Sequence, residues 1–215
     1  MISNELENIR SISVPDRDDL RKKWYISDQE FLILFVGRLQ PVKGLIFLIE
    51  AFRKVLDVFP NCRLMVAGNG SYDTYLQEAK DICTKITFTG LLEKNELFEL
   101  YSIADIGIMP SLTEQCNYVA IEMMMHGLPM ITTAAPGLAE MTEDGISSLQ
   151  VPLIEHPDKV EMDSSVLAEK ILYMLQYPKE REHIGENARK RYEITYSEKI
   201  FRQKMFEFYR SLFIE

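Results

Sequence analysis

Two loops carry the residues whose types and spacing suit chemistry. The first, Gly37-Arg38-Leu39-Gln40-Pro41-Val42-Lys43-Gly44, sets two cations at the start of a helix between framing glycines. Free backbone N–H groups and the positive end of the helix dipole attract an anion there, and Arg38 and Lys43 add full charges on the same side. A phosphate or diphosphate is the natural guest; the plainer alternative is that both side chains are only solvated. The second loop, 110–122, holds two carboxylates, Glu114 and Glu122, with seven residues between them. With a helix beginning near Asn117, Glu114 stands in the loop and Glu122 lies more than a turn inside the helix, so the two serve different tasks. Glu122 sits among Ala120, Met123 and Met124, where an acid requires a hydroxyl or cationic partner. A ribose diol would be one.

Both loops must follow strands. Phe31-Leu32-Ile33-Leu34-Phe35-Val36 is a continuous apolar run ending at Gly37, as a strand covered on both faces would be. From 44 to 59 the apolar residues recur at helical spacing until Pro60 and Asn61 stop them. The alternation continues with a strand at 63–67, a helix at 72–83, a strand at 86–89, a helix at 94–102 and a strand at 106–109. After the second loop come a helix at 117–126, a strand at 128–132, a short helical turn at 139–143 and a last strand at 148–151. This order predicts right-handed βαβ units in a doubly wound parallel α/β sheet, Rossmann-like, with ligands at the carboxyl ends of the strands. Beyond Pro157 no further strand is expected, and helices are read at 164–176, 178–195 and 197–213. The last has Ile200, Phe201, Met205, Phe208, Leu212 and Phe213 as its apolar set and is expected to pack on its own sheet, the alternative being a neighbouring domain outside these residues. Residues 1–30 read as a connector with a lead-in helix, and 31–215 as the ligand-binding domain.

The bulk properties exclude several classes. With 215 residues, 47% hydrophobic and 27% charged, the chain suits one soluble domain, and no apolar run approaches a membrane span. A cytoplasmic location is expected, since no secretory signal is legible. The net charge of -9 disfavours nucleic acid as a partner. Cys62, Cys83 and Cys116 are too scattered for a disulfide framework or a zinc site and read as reduced thiols. His126, His156 and His183 are assigned no catalytic task.

Taken together the motifs resemble family 4 of the retaining glycosyltransferases of GT-B architecture, from about Leu20 to the end. The resemblance rests on Gly37-Arg38-Leu39 with Lys43-Gly44, Val66-Ala67-Gly68-Asn69-Gly70, Phe88-Thr89-Gly90, Ala104-Asp105, the stretch from Glu114 to Glu122, and Gly137 with Glu140. It implies the carboxyl-terminal half of a GT-B fold, which binds a UDP- or GDP-sugar and passes its hexose to a glycan or glycolipid. By motif position, Arg38 and Lys43 would grip the diphosphate beside Gly37 and Gly68, and Glu114 would face the sugar. Glu122 would accept from the ribose hydroxyls, and Gly90, Leu91 and Leu92 would line the base site. The loop after Glu114 departs from the family's Gly-Phe-Gly-like pattern: Gln115, Cys116, Asn117, Tyr118 and Val119 stand where the donor's phosphates and sugar would lie.

The resemblance further implies retention of configuration by same-face attack, with no cofactor and no metal, the cations stabilising the departing diphosphate. No Asp-x-Asp pair or histidine cluster suits a divalent ion. The acceptor would be held by an amino-terminal domain outside these residues, through which the whole enzyme could touch a membrane peripherally, and the chain alone would not transfer sugar. Two other readings share the pattern: a sugar-nucleotide-binding module without activity, and a fragment of a GT-B nucleotide-sugar epimerase. A nicotinamide-dependent dehydrogenase lacks its glycine-rich fingerprint here.

Overall fold

In the computed structural model, which describes residues 16–212, the apolar runs become one six-stranded parallel sheet. Its strands are β1 (Phe31–Val36), β2 (Cys62–Ala67), β3 (Ile86–Gly90), β4 (Ile106–Met109), β5 (Met130–Thr133) and β6 (Leu149–Val151). The helices are α1 (Arg17–Lys23), α2 (Leu45–Val58), α3 (Tyr72–Glu78), α4 (Lys94–Ile103), α5 (Tyr118–Met125), α6 (Pro136–Met141), α7 (Ser164–Gln176), α8 (Pro178–Arg191) and α9 (Glu198–Leu212). Residues 1–15 and 213–215, with the first half of the predicted connector and Phe213, lie outside the described residues.

Alternate residues of β1 supply the two cores. Ile33 and Phe35 pack with Leu48 and Phe52 of α2 and Ile171 of α7 on one face. Leu32 and Leu34 pack with Leu20 of α1, Leu100 of α4 and Met123 and Met124 of α5 on the other. A strand sandwiched in this way has no polar face, which is why its sequence is apolar throughout. The spatial order is β3-β2-β1-β4-β5-β6. Pairing with β2 on one side and β4 on the other makes β1 the place where the winding reverses, and the crevice at such a switch point is where doubly wound sheets bind ligands.

Several local expectations are corrected. The helix read at 72–83 ends at Glu78, capped by Ala79, and continues only as a 3₁₀ segment, Lys80–Lys85, itself kinked where Ile82 leaves helical angles. The helical turn read at 139–143 is instead α6, begun by Pro136 in its first turn, where a missing N–H costs nothing. Strands do not stop at Pro157: β7 (Leu153–Glu155) and β8 (Val160–Met162) form an antiparallel hairpin apart from the main sheet. The helix read at 178–195 ends as a π turn, Tyr192–Tyr196.

The largest correction concerns α9, which does not pack on its own sheet. It has no buried residue, and Phe201, Phe208 and Leu212 are 62%, 57% and 59% exposed. Both faces of the sheet are already covered by other helices, so the apolar stripe finds no vacant surface. Among the described residues no helix is long and apolar enough to cross a membrane.

Candidate functional site

The loops after β1 and β4 meet because two glycines let the backbones touch. Gly44 takes the left-handed conformation (φ 68°, ψ 16°) that ends the 3₁₀ turn Pro41–Lys43 and starts α2. A Cβ at this position would lie 1.8 Å from the Pro110 carbonyl oxygen. The Leu112 N–H donates to the Val42 carbonyl at 2.8 Å, tying the loops together. From the other side, Gly137 at the start of α6 donates its N–H to the Glu114 carbonyl at 3.0 Å, and a Cβ there would collide with Gln115 and Glu114 backbone oxygens.

That framework sets Lys43 against Glu114. The ammonium donates to Glu114 Oε2 at 2.5 Å, and the two side chains are only 19% and 10% exposed. Asn117 Nδ2 donates to the same oxygen at 3.0 Å and Ser111 Oγ at 3.4 Å. Ser111 is itself held by Thr133 at the end of β5, whose hydroxyl donates to the Ser111 carbonyl. Ser111 and Thr133 escaped the sequence reading because a lone hydroxyl in a loop or strand carries no pattern.

Arg38 is placed differently. It is exposed, without an ion pair among the described residues, on the rim of a cleft of about 230 Å³ lined also by Gly37, Gly68, Leu91, Leu92 and Leu97. Gly68 comes so close to the β1 loop that a Cβ would lie 1.8 Å from the Gly37 carbonyl oxygen, and its N–H donates to the Gly90 carbonyl. The structure thus brings Gly37, Arg38, Gly68, Leu91 and Leu92 into one largely apolar cleft bordered by Gly90, with Lys43 on the same loop as Arg38. Of the remaining candidates, Cys116 and Tyr118 are exposed, Gln115 presents its backbone to Gly137, and Val119 packs against the core.

Glu122 already has a hydroxyl partner. Tyr101 of α4 donates its O–H to Glu122 Oε2 at 2.9 Å, a contact that joins residues from two helices and was not legible in sequence. The buried phenol is pushed well above its ordinary value by burial and by the Glu122 charge, so it stays a donor. His126, capping α5, packs its ring on Phe98 and Tyr101 at 4.9 and 5.3 Å, and its Nδ1 bonds the Glu122 carbonyl at 2.8 Å. Burial lowers its pKa below 6.5, the Nδ1 bond opposes this and the nearby Arg189 charge adds to it. A base whose folded pKa is depressed resists protonation that the unfolded chain accepts. Stability should therefore fall as pH drops from 6.5 toward the lower folded value, and be constant in this respect above it. Urea melts at pH 7.5 and 5.5 should show a smaller acid loss for His126→Phe than for the wild type; equal losses would refute this.

Cys62 is buried at the start of β2, and its thiol is pushed up to about 12 by burial and the Asp105 charge, leaving it unreactive; all three cysteines are free. Among the described residues no group of three or more His, Cys, Asp or Glu is gathered to hold a metal ion. A larger cavity of about 590 Å³ lies before β4 and β5, at the opposite end of the sheet, among Tyr101, Asp105, His126, Pro129 and Arg189. It contains none of the predicted site residues, and although Arg17, Arg181 and Arg189 line it, it lies away from the carboxyl ends of the strands, where doubly wound sheets bind ligands.

The fold has known counterparts. The fold is similar to that of Anabaena HepE solved with UDP-glucose, at 22% identity and a TM-score of 0.78 over 93% of this chain and 53% of that one. It is also similar to the carboxyl-terminal domain of LpcC, a glycosyl transferase group 1 family protein of Francisella tularensis (22% identity, TM-score 0.73), covering 86% of this chain and 95% of that one. In sequence, an uncharacterised glycosyltransferase of Methanocaldococcus jannaschii is 32% identical over 156 residues, 70% of this chain and 39% of the relative. The chain spans less than half the length of the first curated relatives it matches. The sequence model of glycosyl transferases group 1 matches residues 16–191, from α1 through α8 and so across both loops of the crevice, and the chain belongs to that family.

Proposed function

We propose that the chain is the donor-binding, carboxyl-terminal domain of a retaining GT-B glycosyltransferase that moves a hexose from a UDP- or GDP-sugar to a glycan or glycolipid acceptor. The observation that carries this reading is the contact of Lys43 with Glu114 across the switch point, with Arg38 of the same loop, which has no ion pair among the described residues, on the rim of a cleft. In this reading a nucleotide base lies by Leu91, Leu92 and the glycine backbones, with the diphosphate toward Arg38, Lys43 and the start of α2. Charge grows on the diphosphate as the sugar leaves, and these cations stabilise it without a metal. Glu114, held through one oxygen, turns the other to the sugar hydroxyls, and Glu122 keeps Oε1 for the ribose. The LpcC domain and the UDP-glucose complex of HepE support a donor domain of this kind. Cytoplasmic placement and peripheral contact of the whole enzyme with a membrane belong to the same reading.

Calorimetric titration with UDP, GDP and ADP, each with and without chelator, tests it. One nucleoside diphosphate should bind equally well in chelator, and Glu122→Gln should weaken it about tenfold, because an amide accepts more weakly from ribose hydroxyls than a carboxylate. Binding that appears only with magnesium would overturn the metal-free reading. The chain alone should bind donor but not transfer it, since an open cleft leaves the site wet and no acceptor is held in line. Transfer at a rate equal to that of a chain carrying an amino-terminal domain would overturn the division of labour.

A further inference from the structure

We infer that Asn117 is a positioning residue that holds Glu114 for the sugar, and that this task is separable from its task as a helix cap. The inference rests on the donor-binding reading above. The side chain is used at both ends. Its Oδ1 accepts from the Ala120 N–H at 3.1 Å, capping α5, while its Nδ2 donates to Glu114 Oε2 at 3.0 Å. Each contact fixes the same orientation of the amide, since a backbone N–H needs an acceptor and a carboxylate needs a donor. Asparagine supplies both from two separate atoms; aspartate, an equally good cap, has no donor, and serine, another, has a single hydroxyl on a shorter side chain to serve both places.

The second contact matters because the other strong partner of Glu114 is not permanent. Lys43 shares Oε2, and a bound diphosphate would compete for the same ammonium. Ser111, at 3.4 Å, is the weaker of the two remaining donors. Asn117 then becomes the main group fixing the carboxylate, anchored by the cap at the head of α5. Gly137 on the opposite side presses the Glu114 backbone into place but offers nothing to its carboxylate. A carboxylate released at that moment would lose its aim at the sugar while the nucleotide half of the donor remained bound.

The test compares the wild type with Asn117→Asp and Asn117→Ser by calorimetry, against UDP, GDP and a panel of UDP-glucose, UDP-galactose, UDP-N-acetylglucosamine and GDP-mannose. The reading is the affinity ratio of the best sugar nucleotide to its parent nucleotide, with a thermal melt for each variant. Both variants keep the cap, so melting should stay near that of the wild type, and any change in affinity for the nucleotide itself is divided out by the ratio. The sugar's contribution should fall by tenfold or more in Asn117→Asp, where a second carboxylate faces Glu114, and by a smaller factor in Asn117→Ser. An unchanged ratio in both variants would overturn the inference, as would a wild type that gains nothing from any sugar. A wild type that binds neither nucleotide would overturn the donor-binding reading itself, and this inference with it. Should Asn117→Asp fail to fold, Asn117→Ser decides.

Discussion

Replacing Lys43 by methionine is expected to weaken nucleoside diphosphate binding by about two orders of magnitude while costing the fold little. The ammonium lies in a nearly closed crevice, where charge is screened less than on an open surface. Removing one partner of a desolvated charge pair costs about 2–5 kcal/mol in binding, or roughly 30-fold to several thousand-fold. The folded state loses less. Glu114 would keep its bonds from Asn117 and Ser111, and methionine fills the space of the lysine stem. A loss of about 1–2 kcal/mol is expected, below the ~3–5 kcal/mol of a wholly buried pair left half broken. Calorimetry with the nucleotide that the wild type binds, beside urea melts, separates the two effects. Affinity within threefold of the wild type would mean that Lys43 serves only to neutralise Glu114.

Gly44→Ala should be the most damaging single change in the site, and its cost should exceed that of left-handed strain. An alanine at φ 68° pays about 1–2 kcal/mol for the backbone conformation alone. Its Cβ would also stand 1.8 Å from the Pro110 oxygen and 2.9 Å from its carbonyl carbon, and backbone atoms cannot swing aside as a flexible side chain can. The β1 and β4 loops would have to separate, breaking the Leu112 to Val42 bond and parting Lys43 from Glu114. Gly145 supplies the control, because it has nearly the same φ, 73°, with nothing within 4 Å of an added Cβ. Gly145→Ala should lower the melting temperature by about 2–6 °C, Gly44→Ala by about 10 °C or more, and only the latter should abolish nucleotide binding. Equal shifts in the two variants would show that the loops have room to part and that their close approach is not what builds the site.

The alternation of strand and helix, and the loops in which chemistry is placed, are legible in the amino-acid sequence because both are written in local patterns. An unbroken apolar run such as 31–36 is stable only between two layers, and periodic apolar residues followed by Pro60 allow little but a helix that ends there. Arg38, Lys43, Glu114 and Glu122 stood out because charges beside buried strands and helix starts are unusual whatever the partners. What pattern does not encode is which surface each apolar face meets. The stripe on α9 is as well formed as that on α2, but α2 covers the sheet and α9 covers nothing among the described residues. The β7–β8 hairpin was missed because three-residue strands bearing Glu155 and Glu161 are too short and too polar to show a period. Only the tertiary structure set β4 beside β1, across two intervening strands of sequence, and thereby carried Glu114 to Lys43, 71 residues away. The same packing supplied Tyr101 to Glu122 and Thr133 to Ser111. Such contacts join residues from elements far apart in the chain, and the close approaches at Gly44, Gly68 and Gly137 that make them possible are set by sheet order, which no local periodicity reports.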